Sequence, residues 1–181
     1  ALSSAASDVY KRQETNKVGF IGGMESPVIS KFDYGFRAGV KAANPDAEVM
    51  VQYANSFTDS ALGKTIANQM HSKNADIIFT CAGAVGIGAI EAAKENGKYA
   101  IGVDRDQSDL APKNVLTSAI KRVDVGVYET VKDLLDGKFE ELYLSDAFVC
   151  AGTCRLSARL RMEQLFAAGY RLLHDFPDNR A

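Results

Sequence analysis

From Lys17 to Gly137 short β-branched runs alternate with longer stretches of helical period, and nothing else in the chain narrows its fold so far. Lys17–Ile21 reads as a buried strand running into Gly22-Gly23. Ser26 before Pro27 is an N-cap followed by proline at the first helical position. Phe32, Phe36, Val40 and Ala43 then recur at helical spacing until Asn44-Pro45 stops the helix. Glu48–Tyr53 alternates, with Val49, Val51 and Tyr53 on one face. A second helix is expected from Thr58-Asp59, with Leu62, Ile66 and Met70 inside. Asp76–Thr80 is the third strand, and Gly83–Gly88 is a glycine-rich turn into a helix carrying Ile87, Ile90 and Ala93, closed by Asn96-Gly97. Tyr99–Val103 and Val115–Ile120 add two strands, and Val127, Val131 and Leu134-Leu135 mark a last helix ended by Gly137.

Strands separated by helices at this spacing imply βαβ units with right-handed crossovers. The expected fold class is α/β, a three-layer, doubly wound, mostly parallel sheet. In such a sheet ligands sit at the carboxyl ends of the strands.

The ends do not follow the pattern. Residues 1–14 have neither period, and Asp8–Gln13 resembles the translation of a common sequencing adaptor; they are expected to be a tail outside the fold. Residues 15–139 are expected to form one α/β lobe. In 140–181 the composition shifts: Phe148–Cys154 is apolar, and Arg155–Arg171 is arginine-rich with Leu160, Gln164, Ala167 and Arg171 at helical steps. That segment reads as divergent, either helical or frame-shifted.

A net charge of −2 in 181 residues supplies no electrostatic reason to bind nucleic acid or an anionic membrane. No apolar run approaches the ~20 residues that span a bilayer. Cys81, Cys150 and Cys154 make no disulfide framework, and Cys150 and Cys154 lack the partner pair a zinc site needs. His71 reads as a polar residue at a helix end. There is no nucleophile elbow, HExxH or P-loop, since Gly63-Lys64-Thr65 lacks the earlier glycine. The glycines at 83, 86 and 88 are in the wrong order and place for a dinucleotide fingerprint; the turn can donate N–H groups to a ligand or simply pack tightly. Phe57 can stack on a flat ring or staple the following helix. Asp104 and Asp106 are a carboxylate pair of the kind usually left solvated. A carboxylate at one strand end and Lys121 at the next can together hold hydroxyls.

Val18–Met24, Phe36–Val40, Ala54–Asp59, Ala82–Gly88 and Gly102–Gln107 occur in series, and together they resemble the basic membrane protein family. Its members are bacterial lipoproteins serving as substrate-binding proteins of ABC transporters, including purine nucleoside receptors. The resemblance covers about residues 15–139 and implies the second lobe of a type I periplasmic-binding-protein fold, closing on a nucleoside. On that template Phe57 would stack on the base and Gly86 would line the pocket through its backbone. Asp104 would bind ribose hydroxyls, Lys121 would support the same ribose, and Thr80 would stand where the receptor has an aromatic. The partners implied are a nucleoside and a transporter permease, with membrane attachment only through a lipid anchor not seen in this chain. No cofactor, metal or enzymatic activity is implied, and the location implied is extracytoplasmic. The family's first lobe should precede Lys17, so half of the ligand contacts are expected to be missing. Two other functions compete: the ligand-sensing domain of a transcriptional regulator, which needs Arg155–Arg171 to supply a helix-turn-helix, and an enzyme acting on a nucleoside or sugar.

Overall fold

In the computed structural model, residues 15–138 and the strand Cys154–Leu156 are described. The elements run β1 (Lys17–Gly22), α1 (Pro27–Ala43), β2 (Glu48–Tyr53), α2 (Ser60–Ser72), β3 (Ile77–Cys81), α3 (Ala84–Glu95), β4 (Tyr99–Asp104), β5 (Val115–Lys121), α4 (Val123–Leu135) and β6 (Cys154–Leu156). They form one sheet in the order β2-β1-β3-β4-β5-β6. The first five strands are parallel and β6 is antiparallel to β5, with Lys121 opposite Cys154. The mostly parallel α/β fold read from the periodicity is the fold observed. Beyond β6, the basic segment expected to be helical lies outside the described residues, as do residues 1–14.

The start and stop signals act as read. Ser26 Oγ accepts the Ile29 N–H at 3.3 Å ahead of Pro27, and the Asn44 N–H donates to Val40 O where α1 ends. Asp59 caps α2 by accepting the Leu62 N–H at 2.9 Å. Under α1, Phe32, Phe36 and Val40 meet Val18, Phe20, Ile77 and Phe79 of the sheet. The Phe36 and Phe79 rings are 5.3 Å apart and the Phe20 and Phe79 rings 5.6 Å, tilted or edge-on as aromatic quadrupoles prefer.

On the opposite face α2 and α3 pack together over Ile21 and Ile78. Glycines set their spacing: a Cβ on Gly63 would stand 1.9 Å from Val85 O, and one on Gly88 would stand 1.9 Å from Ser60 O. The expected glycine turn therefore shortens to Gly83 alone, because Gly86 and Gly88 already belong to α3. Of the three residues read on this helix, Ile90 and Ala93 are buried, together with Val85 and Ala89, while Ile87 is exposed.

Two further readings hold and gain detail. His71 stands in the last turn of α2, as read, and is buried, with its Nδ1 2.9 Å from Ala75 O. The α2 C-terminus folds over it through the Asn74 and Ala75 backbone. Helix α4 forms where predicted, yet Val127, Val131, Leu134 and Leu135 are all exposed. The stripe is present and no described element covers it.

Candidate functional site

The carboxyl ends of β1, β3, β4 and β5 share one edge of the sheet. The crossover from β2 over β1 to β3 makes the β1–β3 boundary the point where strand order changes direction. There the Gly23 N–H donates to Cys81 O at 3.1 Å, and Gly22 and Gly23 carbonyls accept from Ala54 and Asn55. The glycine pair ending β1 is thus tied into both neighbouring strand ends.

A cleft of about 290 Å³ opens above this edge. One wall is the first turns of α1, through Ser26, Val28, Ile29 and Phe32. Phe57 and Ala82-Gly83 form the opposite rim, Cys81 the floor, and Asp104 with Lys121 the polar end.

Phe57 is held in place by its neighbours. A Cβ on Gly23 would come within 2.1 Å of its ring, so the ring lies directly on the glycine backbone. Its carbonyl accepts the Ala84 N–H at 2.8 Å, which also ties it to the start of α3. Gly83 takes φ 59, a left-handed value that glycine adopts without strain, and a Cβ there would crowd Phe57 O at 2.8 Å. Phe57 stands two residues before the cap Asp59, one short of the staple position. It packs instead against the core under α1 and faces the cleft.

Asp104 ends β4 with φ 67, an uncommon conformation for a residue with a side chain. Its carboxylate is 3.1 Å from Lys121 Nζ, with side chains 57% and 35% exposed. Lys121 Nζ also lies 5.9 Å from the Phe32 ring centroid, within cation–π range. Burial pushes the Cys81 thiol up to about 12, with the nearby Asp104 charge adding to the rise and Lys121 opposing it. Cys81 therefore stays a neutral thiol, a soft apolar patch rather than a nucleophile. Asp106 turns outward and accepts the Ser108 N–H at 2.9 Å, an Asx turn that leaves Asp104 alone in the cleft.

Phe57, Asp104 and Lys121, singled out from the sequence, therefore meet in one cleft; Thr80 and Gly86 do not line it. Thr80 is fully buried, and its Oγ1 donates to Ile101 O at 3.3 Å. A Cβ on Gly86 would approach that same Oγ1 to 2.9 Å, so the two residues pack on each other beneath α3. The Gly86 N–H donates to Gly83 O and the Ala84 N–H to Phe57 O. Ser26, Val28, Ile29, Phe32 and Cys81 were not anticipated as lining. Ser26 and Phe32 already had structural explanations in the sequence, as cap and helix stripe, and no spacing signal set Val28, Ile29 or Cys81 apart.

The arrangement joins an apolar slot with an aromatic on each side to a carboxylate–ammonium pair. The carboxylate accepts hydrogen bonds and the ammonium donates them, so a polyhydroxyl group can insert between two charges that already satisfy each other.

Comparison with known proteins gives the family and the fold. The family model described as ABC transporter substrate-binding protein PnrA-like matches residues 10–142. Basic membrane protein B of Borreliella burgdorferi is 49% identical over 120 residues, 65% of this chain and 35% of that protein. A solute-binding protein of an ABC transporter system from Aeropyrum pernix K1 superposes with a TM-score of 0.68 at 29% identity, covering 86% of this chain and 45% of that one. A transcriptional activator of the comK gene from Bacillus halodurans gives a TM-score of 0.73 at 24% identity, covering 92% of this chain and 59% of that one, a likeness of fold alone. The chain spans roughly a third of the length of the curated relative. On the match across residues 10–142, the chain belongs to the PnrA-like family of ABC transporter substrate-binding proteins.

Proposed function

We propose that this lobe supplies one jaw of a nucleoside-binding clamp in the solute-binding component of an ABC importer. The observation that carries the reading is the placement of Asp104 and Lys121 at one end of the cleft that Phe57 and Phe32 flank. A nucleoside has the matching division, a flat ring joined to a sugar with vicinal hydroxyls. In this reading Phe57 packs on the base, Asp104 accepts from the ribose hydroxyls, and Lys121 donates to a ribose oxygen. Thr80 and Gly86 shape the floor from behind rather than touching ligand. Closure against a second lobe would complete the contacts, and delivery would be to a membrane permease from an extracytoplasmic, lipid-anchored position. The role is binding without turnover.

Calorimetry with inosine, guanosine, adenosine, cytidine and free ribose on the chain and on Asp104→Ala tests this. Nucleoside binding that weakens in the variant is expected. Equal heats for the two proteins would remove Asp104 from the site, and release of free base would replace the binding role with an enzymatic one.

A further inference from the structure

The geometry points to Gln107 and Ser118 as positioning residues that hold Asp104 in its left-handed conformation and so aim its carboxylate into the cleft. The ligand role of Asp104 rests on the proposed function; its conformation does not.

Asp104 follows Val103, and Val103 is clamped at both backbone groups. Its N–H donates to Gln107 Oε1 at 2.8 Å, and its carbonyl accepts the Arg105 N–H at 2.8 Å across a three-residue turn. The Gln107 N–H in turn donates to Ser118 Oγ at 3.1 Å. Gln107 is 6% exposed and Ser118 fully buried, so neither bond is shared with bulk water. The chain on both sides of Asp104 is therefore pinned, by Val103 before it and by Gln107 after it, to a hydroxyl on the neighbouring strand.

Gly102 leaves the room this bracket needs. It stands opposite Ser118 in the β4–β5 register, and a Cβ there would be 2.6 Å from both Gln107 Oε1 and Ser118 Oγ. The bracket acts on one outcome, the backbone angle of Asp104. Since the Asp104 carboxylate reaches Lys121 from that angle, relaxing the turn to an ordinary negative φ redirects it.

The test uses the full chain with Gln107→Leu, Ser118→Ala and Gln107→Glu, the last keeping the acceptor oxygen. Backbone φ at Asp104 is read by NMR scalar and residual dipolar couplings, and inosine and guanosine affinity by calorimetry. Gln107→Leu and Ser118→Ala are expected to lose the positive φ and to weaken inosine binding about tenfold, the loss that one misplaced charge-assisted hydrogen bond produces. Gln107→Glu restores both. Adding Asp104→Ala to Gln107→Leu should cost little more, whereas Ile90→Val, which destabilises the lobe elsewhere, should leave affinity unchanged. A positive φ retained in folded Gln107→Leu or Ser118→Ala overturns the proposal, as does an Asp104→Ala effect fully additive with Gln107→Leu. If the parent chain binds neither nucleoside, the proposed function fails, and the NMR measurement alone decides this inference. If Gln107→Leu does not fold, Ser118→Ala carries the same two readouts.

Discussion

Lys121 Nζ lies 3.1 Å from an Asp104 carboxylate oxygen across the ends of two adjacent parallel strands, and the aspartate pays for that reach with a left-handed backbone. The pair is half in water, and exposed ion pairs contribute only about 0–1 kcal/mol. A strained residue serving a weak ion pair is explained by something other than stability. Asp104→Gly is accordingly expected to match or exceed the parent in urea denaturation, by up to ~1 kcal/mol, because glycine adopts this angle freely. Asp104→Val should lose roughly 1–2 kcal/mol, since a β-branched residue resists it. Equal midpoints for the two variants would mean that the angle carries no strain.

Phe57 and Gly23 provide a second measurable coupling. Adding a methyl at Gly23 places a carbon 2.1 Å from the Phe57 ring, so Gly23→Ala should destabilise the chain by about 1–3 kcal/mol. Phe57→Ala alone should also cost stability through lost packing. In the double variant the methyl has space, and a double-mutant cycle should show the two losses to be strongly non-additive. Strict additivity would place the ring somewhere other than on the glycine.

Most of the fold was legible because its signals are local. Ser26-Pro27, Asn44-Pro45 and Asp59 act on their own backbones, and alternating apolar residues in Glu48–Tyr53 need no distant partner to be recognised. The cleft was legible only where a residue type was odd for its position, as with Asp104 at a strand end. Cys81 and the α1 wall were not, because a residue that both packs and lines a cleft looks the same as one that only packs. Gly86 shows the converse. The turn motif alone leaves Gly86 either ligand-facing or tightly packed, and the packing is set by Thr80, which reaches it from a strand six residues earlier. Likewise, periodicity placed α4 correctly but carried no information on what its apolar stripe meets.

Gly63 and Gly88 are expected to be among the least replaceable residues in the lobe. At either position a Cβ would meet a backbone carbonyl at 1.9 Å, and a carbonyl, unlike a flexible side chain, yields only if a helix moves. Gly63→Ala and Gly88→Ala should each cost at least about 1–3 kcal/mol by urea denaturation, the range for overpacking. Gly97→Asn is the control: nothing lies within 4 Å of its Cβ position, and asparagine tolerates its φ of 63. Losses of similar size at all three sites would attribute the effect to glycine removal in general and not to the contact between α2 and α3.

His71 gives the lobe a pH dependence of defined sign. Burial lowers its pKa from the ordinary 6.5; the bond to Ala75 O and the charge of Asp76 act against that shift, and the nearby Lys98 reinforces it. Its Nε2 is buried without a partner, so a second proton there would be unsatisfied. The folded chain therefore holds neutral imidazole to lower pH than the unfolded chain does. Below about pH 6.5 the unfolded state binds more protons, so this group erodes stability as pH falls and stops doing so below its folded pKa. Above pH 7 it is neutral in both states and contributes no slope. His71→Asn can keep a side-chain N–H directed at Ala75 O while removing the titration. The loss of stability between pH 7 and pH 5, followed by urea midpoints at half-unit steps, should be shallower in that variant than in the parent. Parallel curves would show that His71 protonates equally in both states, and its burial would then have no energetic consequence in this range.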